Sequence, residues 1–162
     1  MKRKIINLDE LEKVVLDAKQ RGQVIVSTSG CFDILHAGHV TYLTEAKAKG
    51  DILVVLLNSD SSVRALKGST RPIVPENERA VVIAGLESVD YVCIFSDRTP
   101  CGIIDRIQPD IVVKGGDYAG IQIPEMEHTV AYGGKVVYVS MMDGCSTTNI
   151  VEKIKKTMEE SS

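Results

Sequence analysis

Residues 30–39 read GCFDILHAGH, and they join a short apolar run at 24–26 to a segment of helical composition at 40–49. The apolar run predicts a buried strand and the following segment a helix. A turn that leads from a strand into a helix is where parallel α/β sheets bind ligands. The amino terminus of a helix presents unpaired N–H groups and a partial positive charge, so we expect a phosphate group here.

Two histidines, His36 and His39, lie three residues apart in this stretch, with Gly38 between them. Each imidazole can donate an N–H to a phosphate oxygen. Gly38 has no Cβ, so we expect a phosphate to approach its backbone closely. Two alternatives stay open: a histidine in the core that bonds a backbone carbonyl, and a metal site formed by Cys31, His36 and His39.

Strand-length apolar runs alternate with helical segments along the whole chain. Besides 24–26, the predicted strands are 52–57, 91–95, 111–113 and 135–139. The predicted helices are 8–21, 40–49, 61–66, 76–86, 100–108, 124–132 and 147–158. Continuous apolar runs are typical of strands that are covered on both faces. The pattern predicts an α/β fold, a Rossmann-like three-layer sandwich with a five-stranded parallel sheet, as a single domain over 1–162.

Polar motifs follow four of the five predicted strands directly. They are 30–39 after the first, 58–60 (NSD) with 66–72 (LKGSTRP) after the second, 114–118 (KGGDY) after the fourth, and 143–149 (DGCSTTN) after the fifth. Parallel strands end at the same edge of a sheet, so we expect these motifs to meet there in one site.

Composition and charge exclude several function classes. The formal net charge of −3 argues against sequence-independent binding to nucleic acid, which needs a basic face. No apolar run approaches the length of about 18 residues that a membrane span needs, and no signal-peptide segment follows the basic start. We therefore expect a cytoplasmic protein with reduced cysteines. Cys31 and Cys145 are expected to fill space near the site, because neither has an evident partner base.

The motif Gly-x-Phe-Asp-x-x-His-x-Gly-His resembles the signature of the nucleotidyltransferase superfamily that contains the cytidylyltransferases and pantetheine-phosphate adenylyltransferase. The four motifs together, from about 24 to 154, are similar to one branch, the adenylyltransferases that make ADP-heptose. This resemblance implies an enzyme that joins ATP and D-glycero-β-D-manno-heptose 1-phosphate to give ADP-heptose and pyrophosphate. In that reaction an ionised phosphate attacks the α-phosphorus, so catalysis depends on alignment and charge neutralisation rather than on a strong base.

We predict three catalytic residues. His36 and His39 suit donation to the phosphate oxygens, and Lys67 is the mobile cation that the resemblance places after the second strand. The predicted nucleotide-binding residues are Gly30, Cys31, Phe32, His36, His39, Lys67, Gly144, Ser146, Thr147 and Thr148. The predicted sugar-phosphate-binding residues are Asp33, Arg71, Arg79, Lys114 and Asp117. Alternatively, Lys67 and Arg71 are solvated loop charges, and Lys114 and Asp117 contact the ribose.

The cofactor expected is Mg²⁺, carried mostly by the substrate phosphates, without a dedicated metal site in the protein. The expected partners are ATP and a sugar 1-phosphate, with neither nucleic acid nor membrane, and a homodimer is left open. Bifunctional members of the branch carry a sugar kinase domain ahead of this one. We therefore expect the kinase step to belong to a separate protein.

Two positions depart from the related patterns. Met141 stands where cytidylyltransferases carry an arginine, which counts against a glycerol- or choline-phosphate enzyme. Ser29 stands where the heptose branch commonly has asparagine. The alternatives retained are a cytidylyltransferase for a polyol or alcohol phosphate such as glycerol 3-phosphate, and a catalytically silent nucleotide-binding module.

Overall fold

The computed structural model describes residues 3–161, in which seven α-helices alternate with five strands. The elements are α1 Leu8–Gln20, β1 Ile25–Gly30, α2 Ala37–Lys47, β2 Ile52–Asn58, α3 Asp60–Lys67, α4 Glu76–Ala84, β3 Tyr91–Phe95, α5 Cys101–Ile107, β4 Ile111–Gly115, a 3₁₀ turn Gly116–Tyr118, α6 Pro124–Ala131, β5 Lys135–Val139 and α7 Thr147–Glu160. Each predicted strand and helix is present, so the predicted α/β alternation is confirmed.

The five strands form one parallel sheet in the order β3-β2-β1-β4-β5. The chain builds outward from β1 to β3, then crosses back to add β4 and β5 on the other side of β1. The strand order therefore reverses between β1 and β4, which opens a crevice at their carboxyl ends. This topology confirms the Rossmann-like class predicted from the sequence.

Two apolar layers cover the faces of the sheet. Leu11 of α1 and Ile104 of α5 lie in the layer on one face, and Leu43 of α2 and Ile83 of α4 lie in the layer on the other. All four side chains are almost completely buried. Burial on both faces explains why the strands appear in the sequence as continuous apolar runs.

The central strands are longer than predicted, because polar residues inside them find partners. β1 continues through Gly30 and β4 through Gly115. Thr28 Oγ1 lies 2.6 Å from the Tyr42 hydroxyl, which donates to the Val113 carbonyl. A rule that ends a strand where apolarity ends misses buried polar residues that are satisfied in this way.

Helix boundaries near the motifs also differ from the prediction. α2 begins at Ala37 rather than at 40, with His36 as its N-cap. Lys67 was predicted to lie in a loop, but it occupies the last turn of α3. Gly68 ends that helix with a φ of +95°, a conformation that favours glycine. Before α1, Ile5 forms a parallel bridge with Val92, which the sequence did not indicate.

Within residues 3–161, the helices are all too short or too polar to cross a membrane.

Candidate active site

A cleft of about 240 Å³ lies at the carboxyl edge of the sheet, where the four polar motifs meet. We call it the carboxyl-edge cleft. It is lined by Ser29, Gly30, Cys31, Phe32, Asp33, His39, Tyr42, Lys67, Lys114, Gly115, Asp117, Tyr118, Met141 and Thr147. The expectation that motifs after four different strands converge in one site is therefore confirmed by the geometry.

A larger cleft of about 370 Å³ lies at the opposite edge, where β4 and β5 begin. Its lining includes Lys19, Asp110 and Lys135, together with the turn before β5. None of the predicted site residues lines it. Size alone therefore does not identify the site, whereas the chemistry of the lining does.

The two histidines of the motif stack on each other. Their ring centroids are 3.8 Å apart and their planes differ by 24°. Phe32 packs edge-on against His39, with the centroids 5.3 Å apart. The Nδ1 atoms of both imidazoles are buried and have no hydrogen-bond partner within residues 3–161. An unpaired buried polar atom raises the free energy of the fold, so the stack contains two polar atoms that the described residues leave unsatisfied.

Burial lowers the pKa of His39, the neighbouring His36 and Lys67 act in the same direction, and Asp33 opposes them, so that the pKa lies at about 4. Burial also lowers the pKa of His36. Both imidazoles are therefore neutral at pH 7, and each presents one N–H donor and one acceptor nitrogen. Positive charge at the cleft comes from other groups, and the lysines that line it are Lys67 and Lys114.

Gly38 allows close packing within the protein. The residue is buried in α2. A Cβ at this position would lie 2.9 Å from Cys145 Cβ and 3.0 Å from the His36 ring. The loop before α7 and an imidazole thus fill the space that a side chain at Gly38 would need. The approach of a phosphate to the Gly38 backbone stays a prediction.

The turn after β1 has an unusual backbone. Phe32 and Ile34 have φ values of 46° and 51°, in the left-handed region that non-glycine residues seldom adopt. Each such residue costs on the order of 1–3 kcal/mol and needs surrounding structure to hold it. Gly30 makes the turn possible, since a Cβ there would lie 2.9 Å from the Phe32 ring.

Asp33 holds the loop between α3 and α4 against this turn. Its buried carboxylate accepts hydrogen bonds from the backbone of Ile73 and Val74, at 2.8 and 2.9 Å, and from Arg71 Nε at 3.0 Å. Burial alone would raise its pKa, but these hydrogen bonds outweigh burial and lower it. The geometry favours a positioning role for Asp33 and Arg71 over the sugar-phosphate contact that the sequence suggested.

Arg79 is also fixed within the protein. Only 2% of the residue is exposed. Its guanidinium donates to the carbonyls of Val74, Cys31 and Asn58 and to the Asp60 carboxylate. These contacts join the turn after β1, the end of β2 and the start of α4. They leave the predicted phosphate contact of Arg79 without support, because the guanidinium does not line the cleft.

Lys114 reaches the cleft from within β4, not from the loop after it. Its ammonium donates to Ser29 Oγ at 3.1 Å and to Glu125 Oε1 at 2.5 Å. The Tyr118 ring lies 5.6 Å from the same nitrogen. Glu125 comes from the first turn of α6 and is buried. The sequence did not single it out, because an acidic residue in a first helical turn usually has a solvated side chain.

The amino terminus of α7 closes the cleft on the side of the β1 turn. Ser146 caps the helix as predicted, since its Oγ accepts the backbone N–H of Asn149. The Thr147 hydroxyl donates to the Asp33 carbonyl, so Thr147 is the residue of this motif that lines the cleft. Thr148 and Gly144 are exposed outside it.

The structure thus divides the predicted residues into two sets. Nine line the cleft: Gly30, Cys31, Phe32, Asp33, His39, Lys67, Lys114, Asp117 and Thr147. Six lie outside its lining: His36, Arg71, Arg79, Gly144, Ser146 and Thr148. Lining residues that the sequence did not assign are Ser29, Tyr42, Gly115, Tyr118 and Met141.

Neither of the two alternatives to phosphate binding by the motif, a metal site or a core histidine, gains support. Among the described residues, no group of three or more His, Cys, Asp or Glu side chains is arranged to hold a metal ion. Burial raises the pKa of the Cys31 thiol, so this cysteine is a poor nucleophile. The histidines do not bond backbone carbonyls through Nδ1 either, as these atoms are unpaired within residues 3–161.

Comparisons with known proteins agree with this geometry. A family model described as cytidylyltransferase-like matches residues 27–153. The chain is 52% identical to the bifunctional protein HldE of Geotalea uraniireducens, over 94% of this chain and 31% of that protein. It is 47% identical to the bifunctional protein HldE of Klebsiella pneumoniae, over 96% of this chain and 33% of that protein. The chain thus spans about a third of the length of these relatives.

Two solved structures have a similar fold. The lipopolysaccharide core biosynthesis protein of Thermoplasma volcanium aligns with a TM-score of 0.61 at 32% identity, over 75% of this chain and 98% of its own. Pantoate-beta-alanine ligase of Francisella tularensis aligns with a TM-score of 0.60 at 14% identity, over 93% of this chain and 76% of its own, and supports the fold alone. Since the family model spans most of the chain, this protein belongs to the cytidylyltransferase-like family and is a nucleotidyltransferase.

Proposed function

We propose that this chain is an adenylyltransferase that joins ATP and D-glycero-β-D-manno-heptose 1-phosphate to give ADP-heptose and pyrophosphate. The observation that carries the proposal is the stacked pair of neutral histidines, of which His39 lines the carboxyl-edge cleft and His36 packs against it. The identity of about half of the residues with HldE proteins supports the choice of a heptose phosphate, and so does the likeness to a lipopolysaccharide core biosynthesis protein.

The chemistry is a single displacement at phosphorus. An oxygen of the sugar 1-phosphate attacks the α-phosphorus of ATP, and the bond from that phosphorus to the bridging oxygen breaks. Pyrophosphate leaves with the bonding electrons. The attacking phosphate is ionised at neutral pH, so the enzyme needs no general base. Histidines whose pKa lies below the usual range fit this requirement, because they act as hydrogen-bond donors.

The groups around the cleft suit a division between the two substrates. His39, Lys67 and Thr147 lie with the amino termini of α2 and α7, where backbone N–H groups favour phosphate. Lys114 and Asp117 lie across the sheet edge, on β4 and the 3₁₀ turn. We place the triphosphate beside the histidines and the sugar beside Lys114.

Mg²⁺ remains part of the proposal, and the residues present fit it in a limited way. Mg²⁺ prefers oxygen ligands and keeps several waters. Asp33 is held by three N–H donors, and Asp117 lies at the sugar end of the cleft on the 3₁₀ turn, so the phosphates and water would supply most of the ligands. When bound, Mg²⁺ would neutralise charge on the β- and γ-phosphates.

A cytidylyltransferase for a polyol phosphate is the second candidate, because the family model carries that description. Met141 weakens it. This side chain lines the cleft at the position where cytidylyltransferases carry an arginine, so the site lacks a charge that a small polyol phosphate would use.

The test is a pyrophosphate-release assay of the purified chain that crosses the four nucleoside triphosphates with heptose 1-phosphate, mannose 1-phosphate and glycerol 3-phosphate. We expect ATP with heptose 1-phosphate to exceed every other pair at least tenfold in kcat/KM. Activity should disappear after dialysis against a chelator and return fully with added Mg²⁺. A preference for CTP with glycerol 3-phosphate would select the second candidate. Binding of ATP in a calorimeter without release of pyrophosphate from any pair would indicate a silent binding module.

A further inference from the structure

The contacts of Lys114 with Ser29 and Glu125 have a consequence for the acceptor substrate. An ammonium has three N–H donors. The hydrogen bonds within residues 3–161 account for two of them, to Ser29 Oγ at 3.1 Å and to Glu125 Oε1 at 2.5 Å. Lys114 also lines the carboxyl-edge cleft. Its third N–H is therefore the one that a ligand in the cleft can meet.

The position of this ammonium is tightly defined. Lys114 is 8% exposed and Glu125 is 6% exposed, and the Tyr118 ring lies at a cation–π distance of 5.6 Å. Pro124 at the first position of α6 fixes the helix start that carries Glu125. A buried ion pair keeps its charges only if both partners stay. Glu125 therefore determines where the Lys114 nitrogen lies and which direction its free N–H takes.

The negative side chains around Lys114 disfavour a phosphate group at this end of the cleft. Glu125 neutralises the ammonium, and Asp117 adds another carboxylate to the same end of the cleft. Two negative side chains thus oppose one positive side chain there. At the other end Lys67 supplies positive charge beside the neutral histidines. A phosphate is favoured beside Lys67, whereas an uncharged polar group is favoured beside Lys114.

We propose that Glu125 is a positioning residue that sets acceptor specificity: it holds Lys114 so that this side chain recognises a hydroxyl group of the acceptor sugar instead of a phosphate. The inference rests on the proposed transfer to a sugar phosphate. It adds that the acceptor's hydroxyl-bearing part lies on β4 and its phosphate lies toward Lys67. Glu125 touches no substrate and acts through Lys114.

The first experiment needs no variant. The wild-type chain is assayed with ATP and either heptose 1-phosphate or its single-deoxy analogues. Loss of a hydrogen bond to a charged donor reduces binding about 10- to 150-fold. We therefore expect at least one deoxy analogue to lose this much in kcat/KM. Losses below threefold for every analogue would overturn the proposal.

The second experiment compares Glu125→Gln with the matched control Glu127→Gln, an exposed residue of the same helix. We expect Glu125→Gln to raise the KM for heptose 1-phosphate tenfold or more, to leave the KM for ATP within twofold, and to reduce discrimination against the critical deoxy analogue to below threefold. The control should match the wild type. Unchanged discrimination, or an equal rise in both KM values, would mean that the pair is only structural. If Glu125→Gln does not fold, Ser29→Ala is the alternative variant, because it removes one contact of the Lys114 ammonium and keeps the ion pair with Glu125. A KM for heptose 1-phosphate within twofold of the wild-type value would then overturn the proposal.

A third measurement separates this inference from the proposed reaction. Inorganic phosphate is titrated into the wild-type chain and into Glu125→Gln in a calorimeter. Removing the negative charge frees the ammonium for an anion, so phosphate should bind the variant at least threefold more tightly. Equal dissociation constants would overturn the inference, even in an active enzyme. If the wild-type chain turns over no sugar 1-phosphate, the proposed function fails and this titration still decides the role of Glu125.

Discussion

Arg79 Nη1 lies 2.6 Å from the carbonyl oxygen of Cys31, a residue 48 positions earlier in the chain. The same guanidinium also contacts the Asn58 and Val74 carbonyls and the Asp60 carboxylate. The strained turn after β1 therefore depends on an arginine from α4. This relationship makes Arg79 part of the support of the histidine motif, although the sequence had suggested a substrate contact.

Replacing Arg79 with methionine should destabilise the fold strongly. The change leaves three carbonyls and the Asp60 carboxylate without this donor, and breaking a buried ion pair costs about 3–5 kcal/mol. Urea denaturation should show a loss of this size in the free energy of unfolding. Arg98→Met, at an exposed position, should change it by no more than about 0.5 kcal/mol. If the Arg79→Met variant had normal stability and a raised KM for the sugar phosphate, Arg79 would be a substrate contact, as the sequence suggested.

His39→Ala should lower kcat by about 10²–10³, the loss found when one preorganised donor to a developing charge is removed. The binding of ATP should change less, because most phosphate contacts remain. Steady-state kinetics with both substrates measures the two effects. His128→Ala is the matched control, because this histidine pairs with Asp105 on the surface of α6 and should keep kcat within twofold. A normal kcat in His39→Ala would exclude the role proposed for the pair.

The lowered pKa of His39 predicts a pH-dependent stability. Its pKa is about 4 in the fold against 6.5 for an unperturbed histidine. Between these values the unfolded chain binds more protons, so the stabilisation is complete above pH 6.5 and is lost as the pH falls towards 4. One pKa unit corresponds to about 1.4 kcal/mol. With screening of this partly exposed ring, we expect a loss of about 1 kcal/mol between pH 7 and 5.

Urea denaturation at the two pH values measures this loss. His39→Asn removes the titrating ring but keeps His36 and all other groups, so the variant should lose about 1 kcal/mol less than the wild type. Equal losses in the two proteins would show that His39 titrates normally in the fold.

The sequence predicted the sheet well because five apolar runs coincide with five strands covered on both faces. It predicted the place of the site because the polar motifs follow those runs directly. The predicted first and fourth strands end earlier than the observed β1 and β4, because both strands continue through polar residues. Thr28 and Lys114 are such residues, and their partners, Tyr42 and Glu125, come from distant elements. Such partners are a property of the folded chain, and no local pattern reports them.

The roles of the individual side chains were harder to predict than their location. Arg71 and Arg79 have the chemistry of phosphate ligands, and Asp33 has that of an acceptor for sugar hydroxyl groups. Groups of the protein itself already occupy these three side chains. Gly38 shows the same limit. A glycine beside two histidines suggests open space, whereas Cys145 fills the space that a side chain there would need.

Gly38 and Gly102 provide a matched pair, because both are helical glycines that differ in their surroundings. In an ordinary helix a change from glycine to alanine stabilises the fold by about 0.5–1 kcal/mol. At Gly102 in α5 a new Cβ would have no atom within 4 Å among the described residues, apart from its chain neighbours and the backbone of its own helix. Gly102→Ala should therefore stabilise the protein by about this amount, with kcat unchanged.

Gly38→Ala should have the opposite effect. Its Cβ would lie 2.9 Å from Cys145 Cβ and 3.0 Å from the His36 ring, so α2 must move away from the loop before α7 or the histidine stack must open. Overpacking of this kind costs about 1–3 kcal/mol. We expect a loss of stability in urea, together with a fall in kcat, because His36 supports the ring of His39. If Gly38→Ala were as stable and active as Gly102→Ala, the space beside Gly38 would be free after all.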